Sequence, residues 1–188
     1  MEKLDIIDLN GNVTNLSEDR KMVHQKGLLH QASGVIFVRS NNNQYELLSQ
    51  QRSLKKDKNA GLWDLSVSGH VPSGQTPIDS LMREIEEELG LIGGNNLKNS
   101  LVLLGKFWRN EIHNNNFFEN ELYYAYVCQK DIPIESITIQ KEEVENIKWI
   151  PLEDFKQLVI NKQAVQREPV WKSLFEYLDN LKHINQLN

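Results

Sequence analysis

Cysteine is all but missing. Cys128 is the only one in 188 residues, so no internal disulfide can form, and a reducing cytoplasm suits the chain best. The first residues lack a charged-then-apolar leader, and no apolar run nears the length that crosses a bilayer, so neither secretion nor a membrane is expected. A positive excess is lacking as well. Lys and Arg number 21 against 26 Asp and Glu, for a formal net charge of -5, which argues against a nucleic-acid partner held by a basic face. Repeats and low-complexity tracts are absent. Hydrophobic residues at 39% and charged residues at 25% are ordinary for a globular chain. The length suits one domain, residues 1–188, with one core. Cys128 ends the apolar run Leu122–Cys128 and reads as a buried thiol, not a nucleophile.

The informative segment runs from Gly69 to Leu91, a glycine-containing loop followed by a helical pattern. At 100° per residue, Glu84, Glu87 and Glu88 share one narrow sector beside an apolar stripe of Ile78, Leu81, Met82, Ile85 and Leu89. Thr76 is placed to cap the helix, Pro77 to open it and Gly90 to close it. Carboxylates three and four apart repel each other. These also sit in the last two turns, where the helix dipole gives them no support. A hard divalent cation carrying substrate phosphates would reverse that cost.

The segment resembles the Nudix box, G-x5-E-x7-R-E-U-x-E-E-x-G-U with U a bulky apolar residue. Gly69, Arg83, Glu84, Ile85, Glu87, Glu88, Gly90 and Leu91 match at the right spacing, while Gln75 replaces the first glutamate. An amide cannot supply a carboxylate's charge, so reduced or retuned activity is expected. The resemblance implies an α+β fold: a Nudix-type α/β/α sandwich with a mixed central sheet and the box, residues 69–91, as a loop-helix-loop.

Along the chain, Leu4–Asp8 reads as a strand turning at Asn10-Gly11, and Ser17–Gln25 as a helix capped by Ser17 and ended by Gly27. Together they form an N-terminal extension over residues 1–29. Strands are predicted at Gln31–Arg39, Tyr45–Gln51, Leu62–Val71, Leu101–Trp108, Phe117–Cys128 and Val144–Ile150, with a loop at Gly93–Asn96. Pro151 opens a short helix through Val159. Residues 169–186 form an amphipathic C-terminal helix that covers its own sheet or that of a second copy, which leaves a homodimer open. Trp63 and Trp108 read as core aromatics.

A second resemblance covers roughly the first two thirds of the chain. Asp5–Asp8, Val23–His30, the run after Gln51 and Gly61–Asp64 are similar to the Nudix branch of isopentenyl-diphosphate isomerase. That resemblance implies a second metal set of His24, His30, His70, Glu119 and Glu121, with His24 one residue out of register. It also implies that Arg52, Lys55 and Lys56 contact a diphosphate, Arg52 and Lys56 foremost. Ser68 stands where the isomerases carry their cysteine, and an unassisted hydroxyl is a poor acid near neutral pH. Nothing in context singles out His113 or His183.

The function implied is metal-dependent hydrolysis of a diphosphate linkage in a nucleoside diphosphate derivative or related small diphosphate. Mg²⁺ or Mn²⁺ would lie on Glu84, Glu87 and Glu88, Arg83 would orient them, and Glu121 or Glu119 would serve as base. Two other readings stay open: an isoprenoid-diphosphate isomerase or phosphatase, and a non-catalytic nucleotide-sensing Nudix domain.

Overall fold

A computed structural model describes residues 2–56, 58–113 and 117–186. The chain opens with the hairpin β1 (Lys3–Ile7) and β2 (Val13–Asp19), then α1 (Arg20–Lys26). The expected helix start at Ser17 is wrong: Ser17 pairs with Asp5 inside β2, and Asp19 precedes the helix, which ends on Gly27 at φ 64°. Hairpin pairing with β1 holds those residues extended, so the cap-like serine never starts a helix.

The long strands β3 (His30–Asn41) and β4 (Gln44–Arg52) follow, joined through Asn42 and Asn43 at φ 49° and 61°. Asparagine tolerates the left-handed region that a tight hairpin needs. The predicted strand Leu62–Val71 is split into β5 (Trp63–Asp64) and β6 (Val67–His70). β5 pairs with β4 and β6 with β3, so the chain must cross between strands at Leu65 and Ser66. There Ser66 Oγ donates to Leu48 O and accepts from Phe37 N, bridging the two.

α2 (Pro77–Leu89) is capped by Thr76 and closed by Gly90 at φ 67°. The expected loop at Gly93–Asn96 instead enters a short helix, α3 (Gly94–Lys98), held by Leu97, which is buried under α2. β7 (Val102–His113) runs five residues beyond the expected end, and β8 (Phe117–Gln129) returns beside it. Full-length pairing from Val102↔Val127 to His113↔Phe117 carries β7 that far. β9 (Val144–Pro151), α4 (Leu152–Ile160) and α5 (Glu168–Gln186) complete the chain.

The main sheet is mixed. Its order is β5-β4-β3-β8-β7, with β6 also on β3, β9 also on β4, and β3 parallel to β8. Alternation along β3 sends Val35 and Phe37 to the face covered by α2, and Ile36 and Val38 to the face covered by α4 and α5. Leu81, Ile85 and Leu89 of α2 are fully buried, each worth about 1.5–3 kcal/mol. α5 lies over its own chain's sheet through Val170, Trp171, Leu174 and Leu178. Cys128 is buried, as expected, but Trp108 is 48% exposed. β7 forms the outer edge of the sheet, and Trp108 there borders a hollow beside Gln166, Glu168 and Pro169.

Candidate functional site

One cleft of about 800 Å³ gathers residues from α1, β4, β6, α2 and β8. His24, Arg52, Lys56, Ser68, His70, Arg83, Glu84, Glu87, Glu88, Glu119 and Glu121 all line it. His30 lies behind the wall, fully buried, its ring 5.0 Å from that of His24 and 5.3 Å from that of His70. Lys55 and Gln75 are outside the lining. Gln75 sits in the turn before α2, where its side-chain oxygen is buried without a partner.

α2 presents its glutamates along one wall. Arg83 donates to Glu84 Oε1 at 2.6 Å and to Glu87 Oε2 at 2.5 Å, tying the two together. Gln50 donates to Glu88 at 3.2 Å. Glu88 is almost wholly buried, and burial, reinforced by the charge of Glu84, pushes its pKa up to about 8. Burial raises Glu84 too, against the pull of Arg83. Such carboxylates lack enough positive charge nearby and fit a divalent cation. Gly69 explains how close the loop comes: a Cβ there would stand 2.7 Å from Glu84 Cδ.

Opposite, three imidazoles converge. His24 Nδ1 donates to Arg20 O at 2.7 Å and His30 Nδ1 to Leu28 O at 3.0 Å. In neutral rings this turns both Nε2 lone pairs inward. His24 Nε2 lies 3.1 Å from His70 Nε2. Burial lowers the pKa of His24 to about 4 and that of His70 well below its usual value. His30 Nε2 is buried with no hydrogen-bond partner, 3.7 Å from Glu121 Oε2. Ligand atoms of the three histidines lie within 4.8 Å of one another. Three clustered imidazoles, two of them oriented by backbone carbonyls, with a carboxylate beside them, fit a metal-ligand set.

Glu119 and Glu121 share one face of β8, as their spacing requires, but protein cations meet them there. Arg109 of β7 donates to Glu119 at 2.8 Å and to Glu121 at 3.3 Å, and grips Glu111 at 2.7 and 3.0 Å. Lys58 lies 3.2 Å and His113 3.1 Å from Glu119. Burial works upward on Glu119, yet Arg109 and Lys58 outweigh it and hold the pKa near 2. From sequence no role was assigned to Arg109, Lys58 or His113, and all three contact Glu119.

Deeper in the cleft, Asp64 and Arg167 form a buried ion pair at 2.8 and 3.1 Å. Burial opposes the charge on Asp64, but Arg167 lowers its pKa all the same. Arg167 also donates to Ser68 Oγ at 3.3 Å, and Ser68 Oγ meets Tyr123 OH at 2.8 Å. Arg52 lies 3.5 Å from Asp64 and donates to Lys58 O at 3.3 Å, while Lys56 pairs with Glu143.

The NUDIX domain family model matches residues 28–171. The chain belongs to the Nudix family. Nudix hydrolase 3 of Arabidopsis thaliana is 36% identical over 167 residues, 84% of this chain but 20% of that protein, so the chain spans about a fifth of that relative. An uncharacterised Nudix hydrolase of Clostridium acetobutylicum is 30% identical over 161 residues, covering 86% of this chain and 75% of that one. Isopentenyl-diphosphate Delta-isomerase 2 of Photorhabdus laumondii is 31% identical over 164 residues, covering 87% and 85%. Within the Nudix family, then, the chain lies on the branch similar to those isomerases. The Nudix domain of Shewanella oneidensis NrtR, solved with ADP ribose, shares the fold at a TM-score of 0.60 and 17% identity, covering 92% of this chain and 94% of that one.

Proposed function

We propose that this Nudix domain hydrolyses a diphosphate linkage in a nucleoside diphosphate derivative or a related small diphosphate. The carrying observation is the wall of Glu84, Glu87 and Glu88, where Glu88 is buried and takes a hydrogen bond from the Gln50 amide, and the charges of Lys56 and Arg52 do not offset its burial. Glu84, Glu87 and Glu88 would hold Mg²⁺ or Mn²⁺, and His24, His30 and His70 with Glu121 fit a second ion. Bound there, a divalent cation supplies positive charge to the phosphoryl oxygens and acidity to a water.

The remaining work falls to the chain's own groups. Arg83 keeps Glu84 and Glu87 in register. Arg52, with two of its nitrogens on a backbone carbonyl at the cleft wall, is placed to clasp a phosphate, which a guanidinium can do at two points. Lys56 stands beside it as a second cation. Glu121 is the proposed base: it reaches the imidazole cluster and shares only one of its oxygens with Arg109. Glu119 is enclosed by Arg109, Lys58 and His113 and serves to hold those cations. Isomerisation is disfavoured because Ser68 replaces the isomerase cysteine and its hydroxyl is tied to Tyr123 and Arg167.

A panel of diphosphates incubated with Mg²⁺, with phosphate products resolved, tests the reading. Cleavage that falls at least about a hundredfold in Glu87→Gln, equivalent to about 2.7 kcal/mol of barrier, supports it. Cleavage untouched by that change would sink it.

A further inference from the structure

We propose that Ser68, Tyr123 and Arg167 form a subsite for the group carried by the diphosphate, and that this group bears hydroxyls rather than being a hydrocarbon. This rests on the diphosphate reading above and adds what lies beyond the phosphates. Of the described residues lining the cleft, only Ala32 and Phe117 have purely hydrocarbon side chains. An alkyl tail gains about 25 cal/mol per Å² only where it meets apolar surface. Here it would meet two hydroxyls and a guanidinium, and covering a hydroxyl whose proton has no partner costs about 1–3 kcal/mol.

The hydrogen-bond tally points the same way. Ser68 and Tyr123 carry two hydroxyl protons between them and share one bond, and Arg167 donates to Ser68 instead of accepting. One hydroxyl proton therefore has no acceptor among the described residues, and it lies at the cleft wall. The set is rigid: Asp64 clamps Arg167 from behind, and the Arg167 guanidinium rests 4.8 Å over the Tyr123 ring. Arg167 and Tyr123, with Arg109, also border an adjoining hollow of about 300 Å³, lined by apolar Phe107, Trp108 and Pro169 as well as polar Asn110, Gln166 and Glu168, so the group has room beyond them and meets both kinds of surface there. A site built to bond a hydroxyl discriminates strongly against an analogue lacking it, because the site's own groups are then left unpaired.

Two esters of ADP test this: ADP-ribose, and the methyl ester of ADP, which shares the nucleoside and diphosphate but has no hydroxyl beyond them. Binding is measured by calorimetry in Ca²⁺ and in EDTA, and turnover separately in Mg²⁺. ADP-ribose is expected to bind at least about tenfold tighter than the methyl ester. Ser68→Ala and Tyr123→Phe, which each remove one oxygen and should leave the melting temperature within a few degrees, are expected to erase that ratio. For turnover of ADP-ribose they should raise KM while changing kcat little. Equal binding of the two esters, no binding of either, or a ratio that survives both variants would overturn the subsite. Tighter binding of isopentenyl diphosphate than of ADP-ribose would overturn it too. Binding with the expected ratio but no cleavage in Mg²⁺ would leave the subsite standing and remove the hydrolase reading instead.

Discussion

Two groups of glutamates face each other across the cleft, and they are neutralised in opposite ways. On α2, Arg83 bonds Glu84 and Glu87 but not Glu88, and the pKa values of Glu84 and Glu88 are raised. On the β7–β8 hairpin, Glu111, Glu119 and Glu121 surround Arg109, with Lys58 and His113 closing in, and Glu119 is held near 2. The same side chain is thus short of positive charge on one wall and saturated on the other. Burial works upward on both walls; Arg109 and Lys58 overcome it at Glu119, and the cations near Glu84 and Glu88 do not.

The comparison breaks most visibly at Arg109. Arg109→Met leaves three carboxylates facing each other, and losing one partner of a buried charge cluster costs about 3–5 kcal/mol. The melting temperature should drop sharply; an unchanged one would mean the hairpin carboxylates do not need the guanidinium.

Glu88→Gln goes the other way. Without metal it should raise the melting temperature, because a buried, poorly compensated carboxyl is removed, while Mg²⁺-dependent turnover falls at least about a hundredfold. Loss of stability without metal would contradict the contrast.

A pH series sharpens it further. Glu88 in the folded chain titrates near 8 against 4.5 for its ordinary value, so the folded state holds a proton that the unfolded chain releases. Its contribution therefore weakens stability as pH rises from about 5 to 8 in EDTA. Glu119 has the reverse sign: its stabilisation is full above 4.5 and is lost as pH falls toward 2. His24 and His70, both lowered by burial from 6.5, add the opposite trend in the lower half of that range, so the Glu88 effect is read as a difference. Relative to the wild type, the melting temperature of Glu88→Gln should gain as pH rises from 5 to 8, and that of Glu119→Gln should show no such trend.

The smallest effect belongs to Gln75. Because it lies outside the cleft lining, Gln75→Glu should change Mg²⁺ affinity only slightly, by less than about 1 kcal/mol. A tenfold rise in affinity would place position 75 in the metal's reach after all.

The α2 side of this contrast was legible in the sequence and the hairpin side only half so. Helical spacing alone puts Glu84, Glu87 and Glu88 in one sector, and Thr76, Pro77 and Gly90 mark both helix ends. Alternation likewise puts Glu119 and Glu121 on one face. It does not say what stands opposite, because Arg109 is brought there by strand pairing with a register that no local pattern encodes. Arg167 is further from reach: its partner Asp64 lies 103 residues earlier, and although Asp64 ends the Gly61–Asp64 stretch similar to the isomerases, nothing in that stretch points to Arg167. The misplaced start of α1 and the broken strand at Leu65–Ser66 have the same origin, since long-range pairing overrode local propensity at both points.

Gly34 touches no ligand position, yet it determines the cleft's shape. A Cβ at Gly34 would lie 2.0 Å from Tyr123 OH and 2.9 Å from Leu65 Cδ1. Any side chain there would push the phenol off Ser68 and with it the floor of the cleft. Anyone grafting this cleft onto another Nudix scaffold, or diversifying it by directed evolution, would therefore have to carry Gly34 along as an unvaried position. A library restricted to residues facing the cavity would fail for a reason invisible from inside it.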